Sequence, residues 1–109
     1  MSGAYEANGL VFVSGQIHVN EKMELCGETI EEKFEIALSN VNKILAETDL
    51  TLNDIIRVQL YMTNLNELPS INTIYGNHFK HPYPTRTAIE VSALPLGANL
   101  EIDVIATRN

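Results

Sequence analysis

Arg86 begins a short β-like segment two residues after Pro84, and it is the residue best suited to bind an anion. A guanidinium is always charged, and its planar fork can donate two parallel hydrogen bonds to one carboxylate. Glu101 lies in the next β-like segment, after the connection Leu94–Asn99. The sequence therefore predicts a cation and a carboxylate on neighbouring strands of one sheet.

Less specific interpretations of these residues stay open at this point. Strand arginines such as Arg86 commonly form structural ion pairs. Glu101 alternates with apolar residues, which is also typical of a carboxylate that faces solvent. Ser14 follows an apolar run, but no G-x-S-x-G turn surrounds it and no local motif supplies a base. The residues alone thus indicate an anion-binding clamp and do not identify a reaction.

The composition argues against several classes of function. Seven basic and fourteen acidic residues give a net charge of −7, without a basic cluster. Nucleic acids and anionic membranes are bound through positive patches, so we expect neither as a partner. The single cysteine, Cys26, cannot form an intramolecular disulfide, and three scattered histidines provide no zinc-ligand spacing. We expect no structural metal.

The chain has 109 residues, of which 45% are hydrophobic and 19% charged. This length suits one domain, residues 1–109, with a core small enough that oligomerisation would help to stabilise it. The early apolar run Gly9–Val13 is too short for a signal peptide, so we expect a cytoplasmic protein.

The first helix is predicted by a capping box, in which Thr29 precedes Glu32 by three residues. Its apolar positions repeat at helical spacing and form one continuous stripe. The stripe consists of Ile30, Phe34, Ala37, Leu38, Val41 and Leu45.

Four strands and a second helix complete the predicted architecture. Period-two alternation or β-branched residues predict strands at Leu10–Ser14, Ile55–Thr63, Arg86–Val91 and Leu100–Thr107. A second helix after Asn64 or Asn66 carries the stripe Leu68, Ile71, Ile74, Tyr75 and Phe79. We expect residues 1–8 to be a loose start and residues 20–28 to form a short edge strand or a hairpin return. Two helices that each connect two strands favour an α+β fold with both helices on one face of a mixed sheet.

Five segments in this order resemble the RidA/YjgF reactive-intermediate deaminase family. They read GLVFVSGQI, NVNKIL, INTIYGNHF, PTRTAIEVSALP and LEIDVIA, and together they span nearly the whole chain. The resemblance implies a chorismate-mutase-like fold, a homotrimer with a central β-barrel, and an active-site cleft at each subunit interface.

The resemblance also implies a reaction and its residues. Family members with the arginine hydrolyse 2-imino acids and their enamine tautomers, such as 2-iminobutanoate and 2-iminopropanoate, to 2-oxo acids and ammonia. Arg86 matches the arginine that binds the substrate carboxylate, and Glu101 matches the glutamate of the last strand. The other matched substrate-binding positions are Tyr5, Ser14, Gly15, Asn72 and Ala88.

Two positions depart from the family pattern. Ala88 stands where many members have cysteine, and His18 stands where proline is common, at the expected rim of the cleft, where it would alter the preferred substrate size. A non-enzymatic trimer that binds 2-oxo acids as a regulatory or chaperone-like protein is the alternative function.

Overall fold

This computed structural model describes residues 3–108, which contain five strands and two α-helices. The elements are β1 (Ala4–Ala7), β2 (Leu10–Ile17), α1 (Ile30–Glu47), β3 (Ile55–Met62), α2 (Leu68–Tyr75), β4 (Thr85–Glu90) and β5 (Leu100–Thr107). Within these residues no helix is long and apolar enough to span a bilayer.

Helix α1 begins at the predicted capping box. The Glu32 backbone amide donates to Thr29 Oγ1 at 3.1 Å, and the Thr29 amide donates to Glu32 Oε1 at 3.0 Å. These bonds satisfy amides that have no partner within the helix. All six residues of the predicted stripe are buried, so the helical periodicity correctly identified the face that packs on the sheet.

The sheet has the strand order β1-β2-β5-β3-β4. Strands β3 and β4 are parallel because α2 carries the chain back across the sheet, whereas the other neighbours are antiparallel. Strand β5 then pairs with the free edges of β2 and β3. The prediction that the Arg86 strand and the Glu101 strand are neighbours is therefore wrong, since β3 lies between them.

The chain start also differs from the sequence-based expectation, whereas the segment after β2 makes a hairpin return as expected. Residues Ala4–Ala7 pair with β2, and the connecting Asn8 and Gly9 have φ of +53° and +79°, as two-residue hairpin turns require. The part of the expected loose start from Ala4 to Ala7 is thus an edge strand, and residues 1 and 2 lie outside the described residues. Between residues 20 and 28 the chain turns back through a single bridge, Val19 with Leu25, rather than through a strand.

The two faces of the sheet have different environments. One face packs against the helices, and its core includes Val58, Leu60, Leu100, Ile102 and Val104. The other face, called here the open face, carries residues that alternate with these along the strands. Tyr5 and Phe12, which pair across β1 and β2, lie on the open face and are 70% and 43% exposed.

We predict that Thr29→Ala lowers the free energy of unfolding by about 1 kcal/mol, because the Glu32 amide loses its acceptor at the helix start. Urea denaturation followed by circular dichroism at unchanged m-value would measure the loss.

The matched control is Thr73→Ala in α2. Its hydroxyl donates to the Ser70 carbonyl at 2.7 Å within the helix and caps no free amide. We expect a change of less than about 0.5 kcal/mol. Equal losses in the two variants would show that the capping box does not stabilise α1.

Candidate functional site

Arg86 lies on β4, the edge strand of the sheet, and its side chain is exposed. It pairs in register with the buried Val58, which places it on the helix-packed face, where α2 ends. The guanidinium Nη1 donates to Asn72 Oδ1 at 2.7 Å, and its Cζ lies 4.8 Å from the Tyr75 ring centroid. We call these three side chains, Arg86, Asn72 and Tyr75, the arginine patch.

Tyr75 contributes to the arginine patch in a way that the sequence did not reveal. The apolar periodicity assigned it to the core stripe, whereas the structure also places its ring under the guanidinium. Its position three residues after Asn72, on the same helix face, was the available signal. Burial raises the pKa of Tyr75 to about 12, against the opposing effect of the nearby Arg86 charge. The ring therefore stays neutral near pH 7.

Glu101 lies on β5 and faces the other side of the sheet. It pairs with Tyr61 on β3 and with Ile17 on β2. Strand β2 has a bulge between Val13 and Gln16, and the bulge contains Gly15. A Cβ added at Gly15 would lie 2.7 Å from Glu101 Cδ and closer still to Oε2. Only glycine at this position leaves the carboxylate in its place.

The pKa of Glu101 is raised above its ordinary value. Partial burial is the larger cause, and the negative charge of Asp103 is the second. Asp103 follows Glu101 by two residues on the same face of β5, which is why the two carboxylates repel. The sequence shows this pair only as an alternation with apolar residues.

A chain of hydrogen bonds holds Asp103 in place. The Tyr61 hydroxyl donates its single hydrogen to Asp103 Oδ2 at 2.8 Å. The Gln59 amide then donates to the Tyr61 oxygen at 2.6 Å, and its own oxygen accepts from Arg57 Nη2 at 2.7 Å. Burial and this bond to Asp103 raise the Tyr61 pKa to about 12, so the hydroxyl keeps its hydrogen. We call Glu101, Gly15, Asp103 and Tyr61 the glutamate patch.

The two patches lie on opposite faces of the sheet within one chain. Arg86 shares its face with Val58, whereas Glu101 shares its face with Tyr61, the neighbour of the buried Leu60 on β3. Side chains alternate along a strand, so no rotation of either side chain brings them to one face. A site that uses both groups requires the glutamate patch of a second protomer.

The remaining predicted residues divide between these regions. Asn72 is in the arginine patch, and Ala88 lies two residues after Arg86 on the same face, partly packed on the core. Ser14 adjoins Gly15 in the bulge, where its backbone amide donates to the Gly3 carbonyl at 2.9 Å. Tyr5 lies on the open face at the far edge of the sheet.

His18 does not line an open surface, so the expectation that it shapes a cleft rim is wrong. Its side chain is buried, with 2% exposed. The Asn99 backbone amide donates to His18 Nε2 at 3.0 Å. The ring hydrogen is therefore on Nδ1, which donates it to the Cys26 backbone carbonyl at 2.9 Å. The imidazole thus joins the segment after β2 to the loop before β5.

Comparison with known proteins gives consistent results along the whole chain. The sequence profile of the family described as Endoribonuclease L-PSP matches residues 1–108. The yeast protein MMF1, mitochondrial, is 36% identical over 105 residues, which cover 96% of this chain and 72% of that protein. Reactive Intermediate Deaminase A, chloroplastic, from Arabidopsis thaliana is 34% identical over 107 residues, or 97% of this chain and 57% of that protein.

Solved structures agree with the fold described above. The crystal structure of yeast Mmf1 superposes with a TM-score of 0.94 at 35% identity, covering all of this chain and 87% of that one. E. coli TdcF with bound serine superposes with a TM-score of 0.89 at 31% identity, again covering 100% and 87%. With its α+β architecture and a profile match that includes both patches, the chain belongs to the L-PSP family, whose members include the RidA-type reactive-intermediate deaminases.

Proposed function

We propose that this protein hydrolyses 2-imino acids, such as 2-iminobutanoate and 2-iminopropanoate, to 2-oxo acids and ammonia. The observation that carries the proposal is the division of the two charged groups. Arg86 is braced by Asn72 on one face, and Glu101 lies over Gly15 on the other. If the open face of one protomer met the β4 edge of another, the Arg86 guanidinium would lie opposite the Glu101 carboxylate, whose pKa is raised.

A closed ring of three, the assembly that the family resemblance implies, is compatible with this division. An interface between two different patches is heterologous, and such an interface forms a ring when its rotation closes. The exposed Tyr5 and Phe12 on the open face supply apolar area that contact between protomers would bury. A homotrimer with its sheets around a central barrel would have three equivalent sites.

Arg86 performs the binding step. The substrate carboxylate takes two hydrogen bonds from the guanidinium, whose Nη1 is already oriented by the Asn72 amide. The electrophilic C=N carbon is bonded directly to that carboxylate, so the clamp sets its position relative to a water held by Glu101 of the next protomer.

Glu101 performs the proton transfers. Its carboxylate accepts a proton as the water oxygen adds to the C=N carbon and passes this proton to the imine nitrogen, which gives a carbinolamine. The carboxylate then accepts the hydroxyl proton and passes it to the same nitrogen as the carbon–nitrogen bond breaks, so that ammonia leaves and the 2-oxo acid remains. General acid–base catalysis of this kind contributes about 10²–10⁴ in rate. The substrate also hydrolyses spontaneously, so the proposed mechanism needs no cofactor.

Cleavage of RNA, which the family description names, fits this chain less well. The net charge is −7, whereas RNA binding depends on neutralising phosphates with basic residues. Ligand binding without turnover would instead support a regulatory 2-oxo-acid-binding trimer. The compartment stays a prediction, because the relatives named above include a mitochondrial and a chloroplast protein.

A mixed-ring experiment tests the proposed site most directly. Arg86→Ala and Glu101→Gln chains are co-expressed with two different tags, and rings that carry both tags are purified. A ring of three that contains both variants always has one site with both groups intact, so we expect about one third of wild-type deaminase activity. Each variant alone should retain roughly 1% or less, given the size of the catalytic contributions.

The activity is measured by making the imine in situ with an amino-acid oxidase and following release of the 2-oxo acid. Light scattering confirms that each preparation contains three chains per particle. Mixed rings no more active than the single variants would show that the site is not shared between protomers, and full activity of Arg86→Ala would refute the proposed clamp.

We predict that Gly15→Ala lowers kcat/KM by up to about a hundredfold, because the new methyl group displaces the Glu101 carboxylate from its position. The displaced atoms are the end of a flexible side chain, so the melting temperature should change little. Gly3→Ala is the control, since its Cβ would lie 3.6 Å from Ile44 in ordinary contact. Equal activity of the two variants would contradict a catalytic position for the carboxylate.

We predict an acid limit of activity set by Glu101. The carboxylate is the active base, and it is lost as the pH falls through its raised pKa. Asp103→Asn removes the second cause of that increase, so the acid limb of kcat/KM should move to lower pH. Tyr61→Phe keeps the Asp103 charge and removes one hydrogen bond to it, so it should not move the limb in that direction. If the acid limb of kcat/KM lies at the same pH in Asp103→Asn as in the wild type, the Asp103 charge does not raise the pKa of the catalytic carboxylate.

A further inference from the structure

Tyr75 combines two features that core packing does not explain. Its hydroxyl is buried and has no hydrogen-bond partner among residues 3–108, although such groups are normally paired. Its ring face supports the guanidinium of Arg86, a residue that is otherwise exposed. The contact with Arg86 comes from the ring and not from the hydroxyl, so a phenylalanine at this position would supply it equally well.

The Tyr75 ring is itself held by other rings. Phe79 lies 4.8 Å from it and Phe34 lies 5.9 Å from it, measured between ring centroids. The platform beneath Arg86 is therefore part of the core rather than a mobile surface side chain. The ring supports the face of the guanidinium, and the Asn72 oxygen takes one hydrogen bond from its edge at Nη1.

These two contacts restrict different motions of one group. A ring under the guanidinium limits tilting of its plane, whereas the bond to Asn72 limits rotation within that plane. The donors not used by Asn72 remain to bind a ligand. Immobilising a long side chain during binding weakens affinity, and a side chain that is already held avoids this cost.

We propose that Tyr75 is a positioning residue that holds the Arg86 guanidinium for a substrate carboxylate through its ring face. This inference rests on the proposed function, because it assumes that Arg86 binds the carboxylate. Tyr75 acts through Arg86 and does not contact the reacting atoms. It should therefore affect binding of the acid more than the chemical step.

The test is titration calorimetry of the trimer with 2-oxobutanoate, together with deaminase kinetics. Tyr75→Leu removes the ring face, and we expect it to raise Kd and KM by about two- to tenfold with little change in kcat. Tyr75→Phe keeps the ring and should stay within about twofold of wild type. Arg86→Ala should show no measurable binding. If Tyr75→Leu fails to fold by circular dichroism, Tyr75→Met, which also lacks a ring, takes its place.

The outcomes separate the two proposals. Wild-type affinity in Arg86→Ala would overturn the proposed function. Loss of binding in Arg86→Ala with wild-type affinity in Tyr75→Leu would overturn only the role of Tyr75. Equal weakening in Tyr75→Phe and Tyr75→Leu would also overturn it, because the effect would then belong to the hydroxyl. A change confined to kcat would contradict a positioning role.

Discussion

The alternation of side chains across the five-stranded sheet is the constraint on which the candidate site depends. Strand β4 presents Arg86 on the face of the buried Val58, and β5 presents Glu101 on the face of Tyr61. Successive side chains of a strand point to opposite faces of the sheet, so neither residue can move to the other face without a shift in strand register. Arg86 and Glu101 of one protomer therefore cannot contact the same ligand. If both groups take part in catalysis, the active site requires two protomers, and oligomerisation is needed for activity as well as for stability.

The two patches use different means to hold a charged group. The Arg86 guanidinium is exposed but braced by an amide oxygen and an aromatic ring, both on α2. The Glu101 carboxylate is partly buried, and the backbone bulge at Gly15 makes room for it. Burial and the Asp103 charge raise its pKa, which brings a carboxylate closer to the range in which it can exchange protons with water near neutral pH. The arginine patch thus suits binding, and the glutamate patch suits proton transfer.

Family membership and the chemistry of the site contribute different kinds of support. The family is described as an endoribonuclease family, whereas some relatives are named as reactive-intermediate deaminases, so membership alone does not select one reaction. The net charge of −7 and the Arg86–Asn72 pair favour a small organic acid over a polyanion. The deaminase assignment therefore depends on the local chemistry of named side chains.

The sequence by itself predicted both helices, four of the five strands of residues 3–108 and the candidate residues. The capping box at Thr29, the apolar stripe of α1 and the alternation in β5 are local patterns that burial of one face imposes, and the structure confirms them. In β3 the predicted alternation holds from Val58 to Met62 and fails at the exposed Ile56, where the strand pairing shifts. Only the tertiary structure decided which strands are neighbours, because pairing depends on contacts between residues distant in sequence. In the folded chain β3 lies between the strands of Arg86 and Glu101. Residues Ala4–Ala7 form an edge strand, and His18 is buried between two loops. The contact between Tyr75 and Arg86 could not be predicted either, because it joins residues from different elements. An apolar stripe indicates which residues are buried and does not indicate what packs on the other side of a ring.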